Sequence, residues 1–412
     1  MTAFTAPHWT SQCLHRQQIR YSTCRSTHHV CHAAADPLLL RVARGEDAER
    51  TPVWLMRQAG RYMAAFRKFS DRMAFRDRSE NAEVATELSL QPWRAFQPDG
   101  IIMFSDILTP LPSLGIDWDI KKGFGPVIST PVRSMEDVRR LKTMDDPASS
   151  LPFVQQILGN LRAEVGSAST VLGFVGSPYT LAAYCIESRA AKNPLEIKHM
   201  LHDAPEVLHA FLDHLAEALI VYLCYQIDSG AQVVQLFDSW AHTLTPEEFS
   251  SFSLPYAQKV IDGVREKRPG TPLMFHANGG VGKLHRMTGC SADVLGLDWS
   301  TDMAEARQVL GSDRVIQGNV DPAVLFASEE VIRREVERCL QQAGPRKHIL
   351  NVGHGVLQKT PEQAVALFCQ LARESASTPQ EQASSNNGAV LNISNMEKLK
   401  EMGRAEVGLV GC

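Results

Sequence analysis

The sequence predicts an α/β protein built as a single (β/α)8 TIM barrel, with inserts after its second and third strands. Three observations carry that prediction. Eight short runs of unbroken apolar residues recur between positions 52 and 352, as expected of parallel strands buried on both faces. Helix-like stretches lie between them, which is the pattern of repeated βα units. No G-x-G-x-x-G follows the first run and no GxxxxGK[ST] occurs, so a nucleotide-binding doubly wound sheet is disfavoured.

In chain order, the run 52–56 leads into Arg57, and the run 100–104 into Ser105 and Asp106. The third, 170–175, ends at Gly176-Ser177-Pro178; the fourth, 231–237, ends at Asp238-Ser239-Trp240. The run 272–275 meets His276-Ala277-Asn278-Gly279-Gly280, 293–297 meets Asp298-Trp299, 314–316 meets Gln317-Gly318-Asn319, and 347–352 meets Gly353-His354-Gly355. Helical patterns are expected over 79–95, with Ser79 as N-cap, and over 204–229, 245–267, 328–343 and 360–373. Thr245-Pro246 and Thr360-Pro361 each place a capping hydroxyl before a proline suited to the first helical position. The inserts are 108–169 and 177–230, and 115–125 within the former reads as an extra hairpin.

Length and composition agree. A barrel with insertions takes 412 residues as one domain. Hydrophobic residues are 44% and charged residues 21%, which excludes a wholly disordered or fibrous chain. A net charge of −4 argues against a nucleic-acid partner. No stretch reaches ~18 uninterrupted apolar residues, so membrane insertion is not expected. The nine Cys are scattered, with no CxxC spacing, so neither a metal cluster nor a disulfide framework is expected.

The ends differ from the middle. Residues 1–35 hold no Asp or Glu but carry Arg16, Arg20 and Arg25 among many Ser, Thr and His. That is transit-peptide composition without the apolar core of a secretory signal. The catalytic domain is expected over 36–374. A Ser-, Gln- and Asn-rich segment begins the tail 375–412, expected to be disordered or weakly structured.

Barrel active sites form at the C-terminal ends of the strands. Arg57 and Arg61 flank Gly60 there and read as an anion clamp, because a guanidinium grips a carboxylate or phosphate bidentately. Asp106 ends an apolar run, where a carboxylate can stabilise a cation, accept from N–H groups or act as a base; the alternative is a helix N-cap. Ser239 lacks a G-x-S-x-G elbow and reads as a hydrogen-bond donor rather than a nucleophile. His354 sits between two glycines in a loop that a ligand can approach. His276 has no metal-ligating neighbour in sequence, and Asp298 and Asp321 receive no role.

The residues resemble the uroporphyrinogen decarboxylase family. The likeness runs from about Pro37 to Arg373. It rests on ordered motifs: Pro52-Val53-Trp54-Leu55-Met56-Arg57-Gln58-Ala59-Gly60-Arg61-Tyr62, Phe104-Ser105-Asp106-Ile107-Leu108 and Gly173-Phe174-Val175-Gly176-Ser177-Pro178-Tyr179-Thr180-Leu181. It continues in Gln235-Leu236-Phe237-Asp238-Ser239-Trp240, Gln317-Gly318-Asn319-Val320-Asp321-Pro322 and Asn351-Val352-Gly353-His354-Gly355. The resemblance implies a TIM barrel that removes CO2, without cofactor or metal, from the four acetates of uroporphyrinogen III. The product is coproporphyrinogen III, on the route to haem and chlorophyll. It implies that Asp106 accepts from the pyrrole N–H groups and stabilises their positive charge. It also implies that Arg57 and Arg61 bind carboxylates, with Arg57 a candidate proton donor beside a relayed water or a substrate carboxyl, that Tyr184, Ser239 and His354 contact substrate, that Phe66 lines the site, and that the backbone at Gln58 and Ala59 joins the cradle around Gly60. A homodimer with facing clefts is also implied, and the leader on such an enzyme implies the chloroplast stroma. The chain departs from the family at Met63-Ala64-Ala65, where Pro and an acidic residue are usual. Related barrels include zinc- and corrinoid-dependent methyltransferases, which need a thiolate near His276; a porphyrin carrier without chemistry is the non-enzymatic rival.

Overall fold

The computed structural model describes residues 35–121, 125–189 and 193–375. The leader read over 1–35 and the tail read over 375–412 therefore lie, save Ala35 and Ser375, outside the described residues, as does the turn of the expected hairpin.

Seven parallel strands pair in the order β1 (Gly100–Ile102), β4 (Thr170–Gly176), β5 (Val233–Asp238), β6 (Leu273–Ala277), β7 (Val294–Gly296), β8 (Val315–Val320) and β9 (His348–Val352). The remaining two, β2 (Trp118–Lys121) and β3 (Gly125–Ile128), form the antiparallel hairpin expected in the first insert. Apart from β2, β3 and the first run, each strand falls on an expected apolar run. The first run is the exception. It makes a single parallel bridge, Val53 to Leu350. Leu350 N–H donates to the Pro52 carbonyl (2.8 Å) and Trp54 N–H to the Leu350 carbonyl (3.3 Å), while Asp99 N–H donates to the Val53 carbonyl (2.8 Å) on the other side. Residues 52–56 thus stand between β9 and β1 as the eighth stave. A regular ladder is denied to them because Pro52 has no N–H to give and Arg57 turns the chain at φ +59°.

Two apolar clusters follow from two-sided burial. The larger lies between the strands and the surrounding helices. The smaller fills the lumen with Trp54, Met56, Ile102, Leu172, Phe174, Met274 and Ile349. Helix Leu38–Ala43 inserts Leu39, Leu40, Val42 and Ala43 into the same cluster, and Leu40 N–H donates to Thr170 Oγ1 (3.1 Å) at the start of β4. It plugs the N-terminal end of the barrel; nothing in the short segment 38–43 distinguished it from an ordinary leading turn. A polar belt crosses the lumen above the plug. Trp54 Nε1 donates to Gln317 Oε1 (2.8 Å), and Gln317 Nε2 to Gln235 Oε1 (3.1 Å).

Two cap assignments need correction. Helix Ala82–Phe96 is capped by Asn81, whose Oδ1 accepts from Val84 N–H (3.0 Å), and Ser79 instead ends the short helix Phe75–Ser79. Thr360 is buried and its hydroxyl caps nothing; helix Glu362–Glu374 starts after Pro361. Thr245 does form a reciprocal capping box with Glu248. Helix Pro205–Asp228, in the second insert, is long and apolar enough to cross a membrane, with a mean hydropathy of 1.5, but 67% of that window is buried. Its apolar surface is used against helices Pro178–Glu187 and Leu254–Lys267.

Candidate active site

Arg57 emerges from the eighth stave with its side chain lying across Gly355. A Cβ at Gly355 would collide with Cγ, Cδ and Nε of Arg57. The His-flanking glycine is therefore there to let the arginine pass, which places Arg57 beside the His354 loop. Arg57 and Arg61 are both exposed and neither forms an ion pair among the described residues. Two guanidinium groups without protein partners are free to hold anions. Replacing Gly355 by Ala should push Arg57 aside and lower kcat/KM by roughly 10–100-fold, since ångström-scale misplacement costs about that much. Steady-state kinetics together with an unchanged melting temperature would check it.

Asp106 is half-buried. Its Oδ1 accepts from Leu108 N–H (2.9 Å), its N–H bonds Thr109 Oγ1 (3.2 Å), and Thr109 Oγ1 donates back to the Asp106 carbonyl (2.7 Å). This is a locked Asx turn, not a helix cap: the next helical residues are Leu111–Leu114. Oδ2 has no protein donor among the described residues. Burial pushes the carboxyl up, opposed by the Leu108 N–H and the Arg57 charge.

Tyr184 stands on helix Pro178–Glu187, its ring edge-on to Trp240 at 5.1 Å. Burial and the nearby Asp106 keep its hydroxyl protonated, with Arg57 acting the other way. The helix is fixed by Asp238, which is fully buried and accepts from Ser177 Oγ (2.6 Å), Thr180 Oγ1 (2.7 Å) and the Ser253 hydroxyl. Trp240 N–H donates to Thr180 Oγ1 (3.1 Å). One carboxylate thereby ties the turn carrying Ser239 to the helix carrying Tyr184. The sequence offered a signal for it, an acid at the end of a buried strand, but its neighbour Ser239 drew the functional reading.

Ser239 is half-buried; its carbonyl accepts from His242 Nδ1 (2.8 Å) and Asn278 Nδ2 (3.2 Å), and its hydroxyl has no partner among the described residues. His354 is half-buried, and burial with the charges of Arg57 and His242 pushes it down to about 4 against the pull of Asp298. Asp298 accepts from Gly279 N–H (2.8 Å), Ser300 Oγ (2.8 Å) and Thr301 Oγ1 (2.7 Å), joining the loops after β6 and β7.

Arg57 acts electrostatically on Asp106, Tyr184 and His354, and Asp106 acts on Tyr184. Gln58 is turned inward. Its side chain is buried between Leu55 N–H (3.3 Å) and the Gly100 carbonyl (3.1 Å). Its N–H donates to the Leu55 carbonyl (3.0 Å) and its carbonyl accepts from Tyr62 Oη (2.7 Å). The N–H groups of Ala59 and Gly60 have no acceptor among the described residues. Phe66 is 3% exposed and packs edge-on against Phe104 at 5.4 Å, with the Arg78 guanidinium over both rings. It supports the strand end that carries Asp106 rather than presenting a face to the mouth. Among the described residues no three His, Cys, Asp or Glu are grouped to hold a metal.

The chain matches the family model described as "Uroporphyrinogen decarboxylase (URO-D)" over residues 34–375. It is 55% identical over 339 residues to the "Uroporphyrinogen decarboxylase" of Crocosphaera subtropica, covering 82% of this chain and 96% of that one. It is 54% identical over 339 residues to the protein of that name from Synechocystis, covering 82% and 97%. Among solved structures, a methyltransferase from Methanosarcina mazei superposes with a TM-score of 0.67 at 19% identity, covering 82% of this chain and 97% of that one; that likeness concerns the fold alone.

Proposed function

Since the chain belongs to the uroporphyrinogen decarboxylase family, and is a carboxy-lyase of tetrapyrrole synthesis, we propose that Asp106 and Arg57 carry its chemistry at the mouth formed by residues 57–61, Tyr184, Ser239 and His354. Arg57, Arg61 and the free N–H groups of Ala59 and Gly60 hold substrate carboxylates. The free oxygen of Asp106 accepts from pyrrole N–H groups. A proton added to the pyrrole carbon next to an acetate makes the ring cationic. The bond to the carboxylate then breaks, its electron pair flows into the ring, and CO2 leaves. The exocyclic methylene takes a proton at carbon, the ring returns the first, and each acetate becomes a methyl with net uptake of one proton. The cationic ring is itself the electron sink, so no prosthetic group is required.

Asp106 is worth most at the step where that cation forms, because a fixed charge in a water-poor site stabilises developing charge more than water does. A guanidinium is a poor acid; Arg57 places a water or a substrate carboxyl to deliver the proton. The observation that carries this reading is the Asp106 carboxylate, with one oxygen free, beside an unpaired Arg57. Anaerobic incubation with uroporphyrinogen III in EDTA, followed by chromatography of the products, tests it. Stepwise loss from eight carboxyls to four is expected; tight binding without loss would leave a carrier.

The reading extends to assembly and place. Val281 (63% exposed), Trp299 (51%), Phe326 (47%) and Leu357 (39%) come from the four loops after β6, β7, β8 and β9. They supply an apolar arc on the rim for a homodimer with facing clefts. Trp299→Glu should shift sedimentation from dimer to monomer; an unchanged dimer would reject this rim. The catalytic domain is taken as 36–374. Residues 1–35 are a plastid transit peptide on this reading, supported by their composition and by the cyanobacterial origin of the relatives. A reporter fused to them should enter the stroma, and cytosolic or mitochondrial signal would reject it.

A further inference from the structure

Asp298 has no part in the chemistry above, yet it is 2% exposed just beyond the end of β7 and stands between loops that carry Ser239 and His354. Its Oδ1 accepts from Thr301 Oγ1 (2.7 Å) and its Oδ2 from Ser300 Oγ (2.8 Å), both within its own turn. A third bond leaves that turn: Gly279 N–H donates to Oδ2 (2.8 Å) from the loop after β6. A turn held by its own hydroxyls does not need it. On its other side the β6 loop meets the turn of Ser239. Asn278 N–H donates to the Asp238 carbonyl (3.1 Å) and Asn278 Nδ2 to the Ser239 carbonyl (3.2 Å), and a Cβ on Gly279 would stand 2.7 Å from the His242 Cα. Buried Lys283 closes the same loop, its Nζ donating to the Gly279 carbonyl (2.8 Å). Towards β9, the backbone of Asp298 and Trp299 bears on the His354 loop. A Cβ on Gly353 would collide with the nitrogen and Cα of Trp299 and stand 2.8 Å from the Asp298 carbonyl carbon. Asn319 fixes this turn from β8, its Nδ2 donating to the carbonyls of Asp298 (2.9 Å) and Thr301 (2.6 Å).

We propose that Asp298 is a positioning residue that sets the spacing of Ser239 and His354, and through it the grip of the mouth on the later, less charged intermediates. This deepens the decarboxylase reading and rests on it. A continuous line of contacts runs from the Ser239 carbonyl through Asn278 and Gly279 to the Asp298 carboxylate, and from the Asp298 backbone through Gly353 to its neighbour His354. Its links are backbone groups and short side chains, which pass a displacement on rather than absorb it. The carboxylate is the link that a substitution can break with least disturbance. In Asp298→Asn the amide oxygen can keep the Thr301 hydroxyl, and the Ser300 hydroxyl can turn to accept from the amide, so the turn persists. The amide N–H then faces the Gly279 N–H, donor against donor, and the tie to the β6 loop is lost. Substrate enters with eight carboxylates and loses one at each step. Each later intermediate therefore depends more on every contact that remains, and a misplaced Ser239 and His354 slow the later steps more than the first.

The test is anaerobic turnover of uroporphyrinogen III by the full chain, with seven-, six-, five- and four-carboxyl products separated by chromatography at equal substrate consumption. Two lesions at opposite ends of the bridge are compared, Asp298→Asn and Gly353→Ala. Each should lower kcat/KM by about 10–100-fold and raise the share of seven- to five-carboxyl intermediates at least about twofold, as expected of ångström-scale misplacement. Ser300→Ala, which removes a bond inside the turn and leaves the Gly279 tie, should keep the wild-type pattern. A smaller folded fraction slows every step alike and leaves the pattern unchanged, so loss of stability does not mimic the result. A wild-type pattern in either bridge variant, or the altered pattern in Ser300→Ala, overturns the bridge while leaving the decarboxylase reading intact. Wild-type protein that releases no CO2 would overturn the function itself, and the bridge with it.

Discussion

Asp106→Asn should lower kcat by about 10²–10³-fold, the usual cost of losing one preorganised charge-stabilising group, with KM changed only a few-fold. The reason lies in what the substitution keeps. An amide oxygen can still accept from Leu108 N–H, now at 2.9 Å, so the Asx turn and the shape of the mouth survive. It can also accept from a pyrrole N–H. What it cannot do is oppose a full positive charge on the ring, and that charge exists only near the transition state. An equal rise in KM with kcat intact would mean that Asp106 only binds. The pH profile follows from the same group. On the proposed reading Asp106 works ionised, and burial pushes its carboxyl up, so kcat/KM should fall as pH drops through that raised value. Arg57 opposes the rise. In Arg57→Gln the acid limb should therefore move to higher pH, and a limb that stays in place would show that it belongs to another group.

The second large effect is on the scaffold. Asp238→Ala should destabilise the protein by about 3–5 kcal/mol, measured by denaturant unfolding, because three buried hydroxyls lose their acceptor together and each unsatisfied group costs about 1–3 kcal/mol. Ser177, Thr180 and Ser253 all point at that one carboxylate. The loss should reach catalysis as well, since this carboxylate and the Trp240 N–H help join the helix bearing Tyr184 to the turn bearing Ser239. Asp238→Asn, which keeps an acceptor oxygen and offers an N–H to a hydroxyl, should recover part of the stability. A stable Asp238→Ala variant with full activity would show that the helix is held by packing alone.

The barrel was legible because burial on both faces writes itself as unbroken apolar runs, and the run ends coincide with the loops where Arg57, Asp106, Ser239 and His354 sit. The hairpin of the first insert and the Thr245 cap were readable for the same kind of local reason. Tyr184, Phe66 and the backbone of Gln58 were reachable only through family resemblance. Of these, the structure turns Gln58 and Phe66 inward. Period and burial cannot tell a side chain that faces a ligand from one that supports its neighbour, because both are needed at the same place in the chain.

What the amino-acid order determined by itself was the staves, their order and which loops reach the mouth, since those depend on local hydrophobic period and turn chemistry. Tertiary structure alone decided how the ring closes and what fills it. The eighth stave is a strand only because β9 and β1 offer it partners on both sides. Helix Leu38–Ala43 is a plug only because the lumen has an open end. Gly355 is required only because Arg57 passes over it. Contacts between residues far apart in the chain carry no periodic trace, and it is these contacts that set the charge and solvation on which the chemistry depends.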